Sequence, residues 1–337
     1  MRAPAFWWQP PGLIARLLAP LGWLYGAITL RRMRQPGADC GVPVICVGNF
    51  VAGGAGKTPT AIALAGLLAQ RGENPFVLMR GYGGSLPGPV EVHAQHHAAH
   101  AVGDEPLLMA RHVRTVVSRD RVAGANLARA LGASVIVMDD GLQNPALAKR
   151  VRLAVVDGAS GVGNGLCLPA GPLRAPLAEQ LTQVDAVLVI GPGEPGEAVA
   201  AQATARGIPV LGARLDPAAD TVTRLADQAV LAVSGIGRPE KFAATLREAG
   251  ARIVAERAFG DHHAYSAADV QALVAEAALY DSLVATTEKD WVKLAPLWPE
   301  AERGRLLPVP VRLVFDAAEP IAALLAGATV SGAAGAP

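Results

Sequence analysis

The stretch VPVICVGNFVAGGAGKTPTAIALAGLLAQ, residues 42–70, decides the fold. Its opening, VPVICVG (42–48), is a short β-branched run and predicts a buried strand. Its close, TPTAIALAGLLAQ (58–70), predicts a helix that Arg71 and Gly72 end. Between them lies GGAGKT, residues 53–58. Glycines in such a loop let backbone N–H groups approach phosphate oxygens, and the following helix N-terminus favours negative charge. Lys57 then reaches the β- and γ-phosphates, and the Thr58 hydroxyl ligates Mg²⁺. The GxxxxGK[ST] pattern asks for Gly at its first position, where Val51 stands. The strand–loop–helix setting restores most of its weight, against the plain alternative of a Gly-rich turn.

Working outward, PFVLM (75–79), Arg114–Val117, SVIVM (134–138), LAVV (153–156), AVLVI (186–190) and Val210–Ala213 read as further strands. Residues 58–70, Glu105–His112 and Asp120–Leu131 read as helices between them, and 85–103 as loop. Alternating strands and helices imply a parallel sheet covered on both faces, with ligands at the carboxyl ends of its strands. Asp139, Asp140 and Asp157 fall at such ends. A second α/β series runs from Val230–Ser234 through Arg252–Glu256 and Leu283–Thr286, and Val309–Phe315 closes it. The expected class is therefore α/β: a P-loop NTPase-like parallel sheet with helices on both faces, plus a smaller C-terminal α/β domain. The expected division is 1–35 N-terminal membrane-associating helix, 36–220 P-loop domain, 221–329 smaller domain closing over the site, and 330–337 disordered tail.

The first 38 residues carry Arg2, Arg16, Arg31, Arg32 and Arg34 and no acid, with Trp7, Trp8 and Trp23 among them. Ile14, Leu17, Leu18, Leu21, Leu24, Tyr25 and Ile28 repeat at helical spacing. Interfacial Trp, an apolar face and flanking Arg suit a helix lying on a bilayer surface, while Arg16 and Pro20 interrupt a span. The plain alternative is a core helix with a basic end. A net charge of +1 gives no field for nucleic acid, so none is expected as a partner. Three cysteines without a CxxC pair fit a reducing compartment and no structural zinc.

Asp139 and Asp140 close an apolar strand as a Walker-B element does, and one of them would hold Mg²⁺; a helix N-cap is the bland reading. GLQN, 141–144, extends them as a polar loop with Gln143 and Asn144. Transfer to an alcohol needs a proton acceptor. Asp104 and Glu105 in GDEP, and Asp261, His262 and His263 in DHH, are the candidates. His93, His96, His97 and His100 lack a nearby acid and read as a solvated loop. Arg80 and Arg174 lie on Gly- and Pro-rich loops, as phosphate-recognising arginines do.

Together VGNFVAGGAGKTP (47–59), RGYGG (80–84), VGDEP (102–106), DDGLQN (139–144), GNGLCLPAGPLR (163–174), SGIGRPEKF (234–242), DHHAY (261–265) and TTEKDWVKL (286–294) resemble the tetraacyldisaccharide 4′-kinase family. The resemblance runs to about residue 316, and that family also carries Val at the position of Val51. It implies an ATP- and Mg²⁺-dependent kinase of lipid A biosynthesis, phosphorylating the 4′-hydroxyl of a tetraacylated glucosamine disaccharide 1-phosphate. By the same resemblance Asp104 is the catalytic base and His262 supports it, with Lys57, Asp139 and Asp140 catalytic. Gly53, Gly54, Ala55, Gly56, Lys57, Thr58 and Pro59 hold the nucleotide, and Thr58, Asp139 and Asp140 the metal. Arg80, Tyr82, Glu105, Gln143, Asn144 and Arg174 face the glycolipid. The family commonly has Glu after that last arginine, where this chain has Ala175. The family's N-terminal helix binds the cytoplasmic face of the inner membrane, and no obligate protein partner is implied. Two rivals stand beside it. One is another P-loop enzyme, such as a GTPase, for which Thr287-Glu288-Lys289-Asp290 is a loose guanine motif. The other is a nucleotide-gated membrane adaptor that needs no base.

Overall fold

The computed structural model describes residues 3–329, so the expected disordered tail at 330–337 lies outside the described residues. Among the described residues, thirteen strands form two sheets. The larger contains β1 (Val44–Asn49), β2 (Pro75–Met79), β3 (Val90–Val92), β4 (Thr115–Val117), β5 (Val135–Asp139), β6 (Val151–Asp157), β7 (Ala186–Ile190) and β8 (Val210–Pro217). The smaller contains β9 (Ala229–Ser234), β10 (Arg252–Ala258), β11 (Leu283–Thr287) and β12 (Leu306–Val309); β13 (Val311–Phe315) returns to the larger sheet.

The large sheet has the order β13-β8-β7-β6-β1-β5-β2-β4-β3. Every pair from β8 to β4 is parallel, and the two edges are antiparallel. β1 and β5 are buried along their whole length, which is why the sequence writes them as unbroken apolar runs. Val47 pairs with Asp139, so the loop after β1 and the acids after β5 emerge side by side. The helix Lys57–Gln70 lays Ala61, Leu64, Ala65 and Leu68 on the sheet. Leu64 and Leu68 are fully buried, which stabilises the fold by about 1.5–3 kcal/mol each.

Two local differences from the sequence reading have physical causes. Within 85–103, three residues form β3 and Ala99–Val102 a helical turn; β3 exists through pairing with β4 rather than through its own pattern. The run Val309–Phe315 splits at Pro310: β12 stays on the small sheet, while β13 pairs with β8. The helix Ala318–Thr329 follows it, with Ile321 and Leu325 in the large sheet's core. Residues 311–328 thus pack with the large sheet, although the expected division places them in the smaller domain.

The N-terminal helix, Leu13–Met33, buries Ala15, Gly22, Gly26 and Met33 and exposes its bulk. Leu13, Leu17 and Trp23 are each at least 70% exposed, and Ile14, Leu21, Leu24, Tyr25 and Ile28 are exposed too. A Cβ on Gly26 would sit 2.9 Å from Cys167 Sγ, and one on Gly22 2.6 Å from the Cys167 carbonyl oxygen. The helix docks by its small residues and turns its large apolar ones outward, the reverse of a soluble surface helix. Ahead of it, the single turn Ala5–Trp8 folds back as a strap. Trp7 Nε1 donates to the Pro169 carbonyl at 3.0 Å, and Asn164 N donates to Trp7 O at 2.7 Å. All three cysteines are buried and free.

Candidate active site

The loop 53–58 is shaped by its own glycines and by its neighbours. Gly56 has φ 89°, and a Cβ there would meet Ile190 Cδ1 at 2.6 Å. Glycine alone fits both demands. Asn49 Nδ2 and Lys57 Nζ both donate to the Gly53 carbonyl, at 3.0 and 3.4 Å. A Cβ on Gly53 or Gly54 would meet open space, so the loop presents bare backbone to a cavity of about 1510 Å³. Gly53–Gly56, Thr58, Glu105, Asp157 and Lys289 are among its walls, as is Trp7 of the strap.

Asp139 and Asp140 have different surroundings. Asp139 is buried, and its Oδ1 has no hydrogen-bond partner among the described residues. Burial, with Glu105 and Asp140 nearby, pushes its carboxyl up to about 7 despite Lys57 and Arg121. Asp140 takes φ 51° and faces outward to Arg174 Nη1 at 2.9 Å and Lys57 Nζ at 3.6 Å. Burial opposes its charged form, but those two cations outweigh it and hold its carboxyl below the usual range. An orphaned buried carboxylate oxygen next to Lys57 and the Thr58 loop fits a divalent cation. Among the described residues no group of three or more His, Cys, Asp or Glu is placed to hold a metal by itself.

Opposite stands Asp104. Gly103, at φ 96° and with a Cβ position 2.5 Å from Tyr82 O, presses the start of the helix Asp104–Met109 against the 80–84 loop. His262 reaches it from the loop after β10, 158 residues away, with Nδ1 3.0 Å from both carboxylate oxygens. His262 holds φ 58°, a conformation non-glycine residues adopt rarely and one that concentrates at functional sites. Lys293 Nζ lies 3.6 Å from Asp104 Oδ2. Burial raises the Asp104 carboxyl, but the His262 hydrogen bond together with Lys289 and Lys293 brings it down to about 2. The pair is ionised at Asp104 throughout the physiological range. Glu105 and Asp261 line the cavity and flank the two members of the pair in the chain.

The remaining candidates divide. Tyr82 is 69% exposed, its ring 5.4 Å from that of His262, and Arg80 is exposed at the end of β2. Gln143 donates to Asn49 O at 2.8 Å and to Gln180 Oε1 at 2.9 Å, and accepts from Arg174 Nη1 at 3.1 Å. Asn144 caps its own turn through Ala146 N. Arg174 also donates to Val51 O at 3.1 Å. Gln143 and Arg174 thus have their polar groups engaged with residues 49–51 and with Asp140, and Asn144 with its own turn. The four histidines at 93–100 lie in and beside a turn, with His93 and His97 rings stacked. Asp157 pairs with Arg238 at 2.8 Å and with Lys241, both from the smaller unit.

Three residues escaped the sequence reading. Arg121 is 3% exposed, donates to Asp139 O at 3.5 Å and keeps Nη1 unpartnered among the described residues. It opens a helix after a short strand, where arginine looks unremarkable. Lys289 and Lys293 sit four residues apart on the helix Glu288–Leu294 and point at the Asp104–His262 pair. That spacing alone reads as a solvated face.

The family model described as Tetraacyldisaccharide-1-P 4′-kinase (LpxK) matches residues 14–329. The chain is 56% identical over 326 residues to a tetraacyldisaccharide 4′-kinase of Methylobacterium nodulans, spanning 96% of this chain and 94% of that one. It is 53% identical over 320 residues to one of Rhodopseudomonas palustris, spanning 95% and 93%. A solved structure, "apo" form LpxK from Aquifex aeolicus in complex with ATP, is 25% identical with a TM-score of 0.73, covering 93% of this chain and 99% of that chain. With the strand–loop–helix phosphate cradle and the acids beside it, these matches settle the family: the chain belongs to the tetraacyldisaccharide-1-P 4′-kinases.

Proposed function

We propose that this chain transfers the γ-phosphate of ATP to the 4′-hydroxyl of a tetraacylated glucosamine disaccharide 1-phosphate, forming the 4′-phosphate of lipid A. The observation that carries the mechanism is the Asp104–His262 pair, whose chain neighbours Glu105 and Asp261 line the same cavity as the phosphate loop. The phosphates lie along Gly53–Gly56 and the N-terminus of the helix Lys57–Gln70, with Lys57 beside the γ-phosphate. Thr58 and Asp139 would hold Mg²⁺, which would supply charge neutralisation on the transferring group. Arg174 restrains Asp140 and keeps it directed at Lys57. The sugar hydroxyl attacks phosphorus, its proton passes to an Asp104 oxygen, and ADP leaves with the bond to the γ-phosphorus broken. His262 donates through Nδ1 and orients the carboxylate. Glu105 lines the cavity and Arg80 and Tyr82 are exposed, and these three meet the glycolipid. An aspartate held at about 2 is a weak base, so most of the rate comes from positioning and electrostatics.

The helix Leu13–Met33 is long and apolar enough to cross a membrane by length and composition. Its outward face of Leu17, Leu21, Trp23 and Leu24, with Arg31 and Arg32 at its end, supports a helix lying in the cytoplasmic face of the inner membrane. The smaller unit closes over the site, and the Asp104–His262 contact is made across that seam.

The test follows labelled γ-phosphate from ATP into the tetraacylated disaccharide 1-phosphate in detergent micelles. Asp104→Ala is expected to lose transfer by about 10²–10⁴-fold while ATP binding persists. His262→Ala is expected to lower turnover less, with the KM for ATP unchanged. Full transfer by Asp104→Ala removes the base, and no transfer by folded, ATP-binding wild type removes the substrate.

A further inference from the structure

Lys289 Nζ lies 3.1 Å from Asp261 Oδ1, 3.2 Å from Glu105 Oε1 and 3.3 Å from His262 Nε2. An ammonium has three N–H bonds and no lone pair, so each of the three contacts takes one hydrogen. Nε2 of His262 must then be the unprotonated nitrogen, and the ring's one N–H is on Nδ1, pointing at Asp104. The neighbouring elements leave this arrangement consistent. Lys293, on the next turn of the same helix, is held by Asp290 Oδ1 at 3.0 Å and the His263 carbonyl at 3.1 Å, and faces Asp104 rather than the imidazole. Glu288 is taken by His112 at 3.3 Å, and Tyr82 offers the imidazole only its ring.

We propose that Lys289 is a positioning residue of the phosphoryl transfer: its ammonium fixes His262 as the neutral Nδ1–H tautomer, leaving Asp104 the one proton acceptor of the pair. This rests on the reading of Asp104 as the base. An imidazolium beside Asp104 would carry a second acidic proton and weaken the carboxylate as an acceptor. The Asp104 hydrogen bond favours that imidazolium and raises His262, while burial and the Lys289 charge oppose it. Glu105, Asp104 and Asp261 together keep Lys289 itself protonated against its burial. Removing the ammonium takes away the cation beside Asp261 and the imidazole and leaves Lys293 alone to oppose Asp104, so the imidazole gains its second proton at a higher pH. The active, singly protonated form then appears only at a higher pH.

The experiment compares wild type, Lys289→Met and Lys289→Arg in full pH profiles of kcat, with ¹⁵N spectra of the His262 ring. In Lys289→Met the acid limb of kcat is expected to move up by about one pH unit or more, with most of the lost turnover recovered on the alkaline side. The KM for ATP stays within about twofold, because Lys289 contacts the pair and not the phosphate loop. Lys289→Arg restores the limb. At a pH just above the wild-type acid limb the wild-type ring shows one protonated nitrogen, and at that same pH Lys289→Met shows two. A limb in its wild-type position with a wild-type spectrum overturns the proposal. A uniform loss of kcat at every pH, with the tautomer unchanged, also overturns it and leaves Lys289 a packing residue. If Asp104→Ala retains transfer, the base is wrong, yet the ring spectrum still decides what Lys289 does to His262.

Discussion

Replacing Asp139 by Asn should stabilise the metal-free protein at alkaline pH while abolishing its activity. The carboxyl is buried, one of its oxygens has no partner among the described residues, and its pKa stands at about 7 against an ordinary 3.8. Between those two values the folded chain binds a proton that the unfolded chain has already released. Stability therefore falls as pH rises from about 4 to about 7 and stays low above it. A gap of roughly three pH units at about 1.4 kcal/mol each sets a ceiling of about 4 kcal/mol on the penalty. Side-chain relaxation and water entry reduce the expected gain to about 2 kcal/mol for the amide, which carries no charge to desolvate. The assay is denaturant unfolding in chelator at pH 4 and pH 8. Asp139→Asn should match wild type at pH 4 and exceed it at pH 8. Added Mg²⁺ at pH 8 should raise the wild-type melting temperature and leave the variant's unchanged, because a ligand that binds only the folded state stabilises it. A variant less stable than wild type at pH 8 in chelator would refute the reasoning, since Asp139 would then be a satisfied structural acid.

Two further predictions concern the N-terminal helix. Gly26→Leu places a side chain where Cys167 Sγ is 2.9 Å and Pro176 Cδ 3.1 Å from the first carbon, and is expected to lower unfolding stability by about 1–3 kcal/mol in a denaturant titration. Leu17→Glu, Leu21→Glu and Leu24→Glu together, at positions 70%, 57% and 52% exposed, should leave the unfolding midpoint alone. Sedimentation with anionic vesicles should fall by roughly tenfold or more; undiminished binding would place the membrane contact elsewhere.

The sheet's centre was legible because strands buried on both faces must be written in β-branched residues, as 44–49 and 135–139 are. The phosphate loop was legible because its chemistry is local: glycines, Lys57 and Thr58 lie within six consecutive residues. What depended on tertiary placement was not. β3 has only three residues and no pattern of its own; the strap Ala5–Trp8 is fixed by Asn164 and Pro169. The run 309–315 is uniform in composition, and nothing but Pro310 signals that its halves join different sheets. The three site residues not anticipated, Arg121, Lys289 and Lys293, owe their importance to partners 18 to 189 positions away.

Those distant contacts explain why the site sits where it does. The chain leaves the large sheet at Pro217 and rejoins it at Val311, and these two residues face each other in the β8–β13 ladder. Ala218 N donates to Pro310 O at 3.0 Å just beyond them. Both covalent connections to the small sheet thus pass through one point at the edge of the large one. The helix Glu288–Leu294 is shared in the same way, with Val292 in the core of the large sheet and Leu294 in that of the small one. A body joined to another at one edge has its angle set by side chains across the seam. Here those side chains are Asp104 with His262, Glu105 with Lys289, and Asp157 with Arg238 and Lys241. Asp104 is itself buried in that seam and Val292 packs across it, so apolar contact holds the seam along with the charges. On the proposed mechanism the proton-accepting pair is therefore assembled from both units and is complete only while they are in contact.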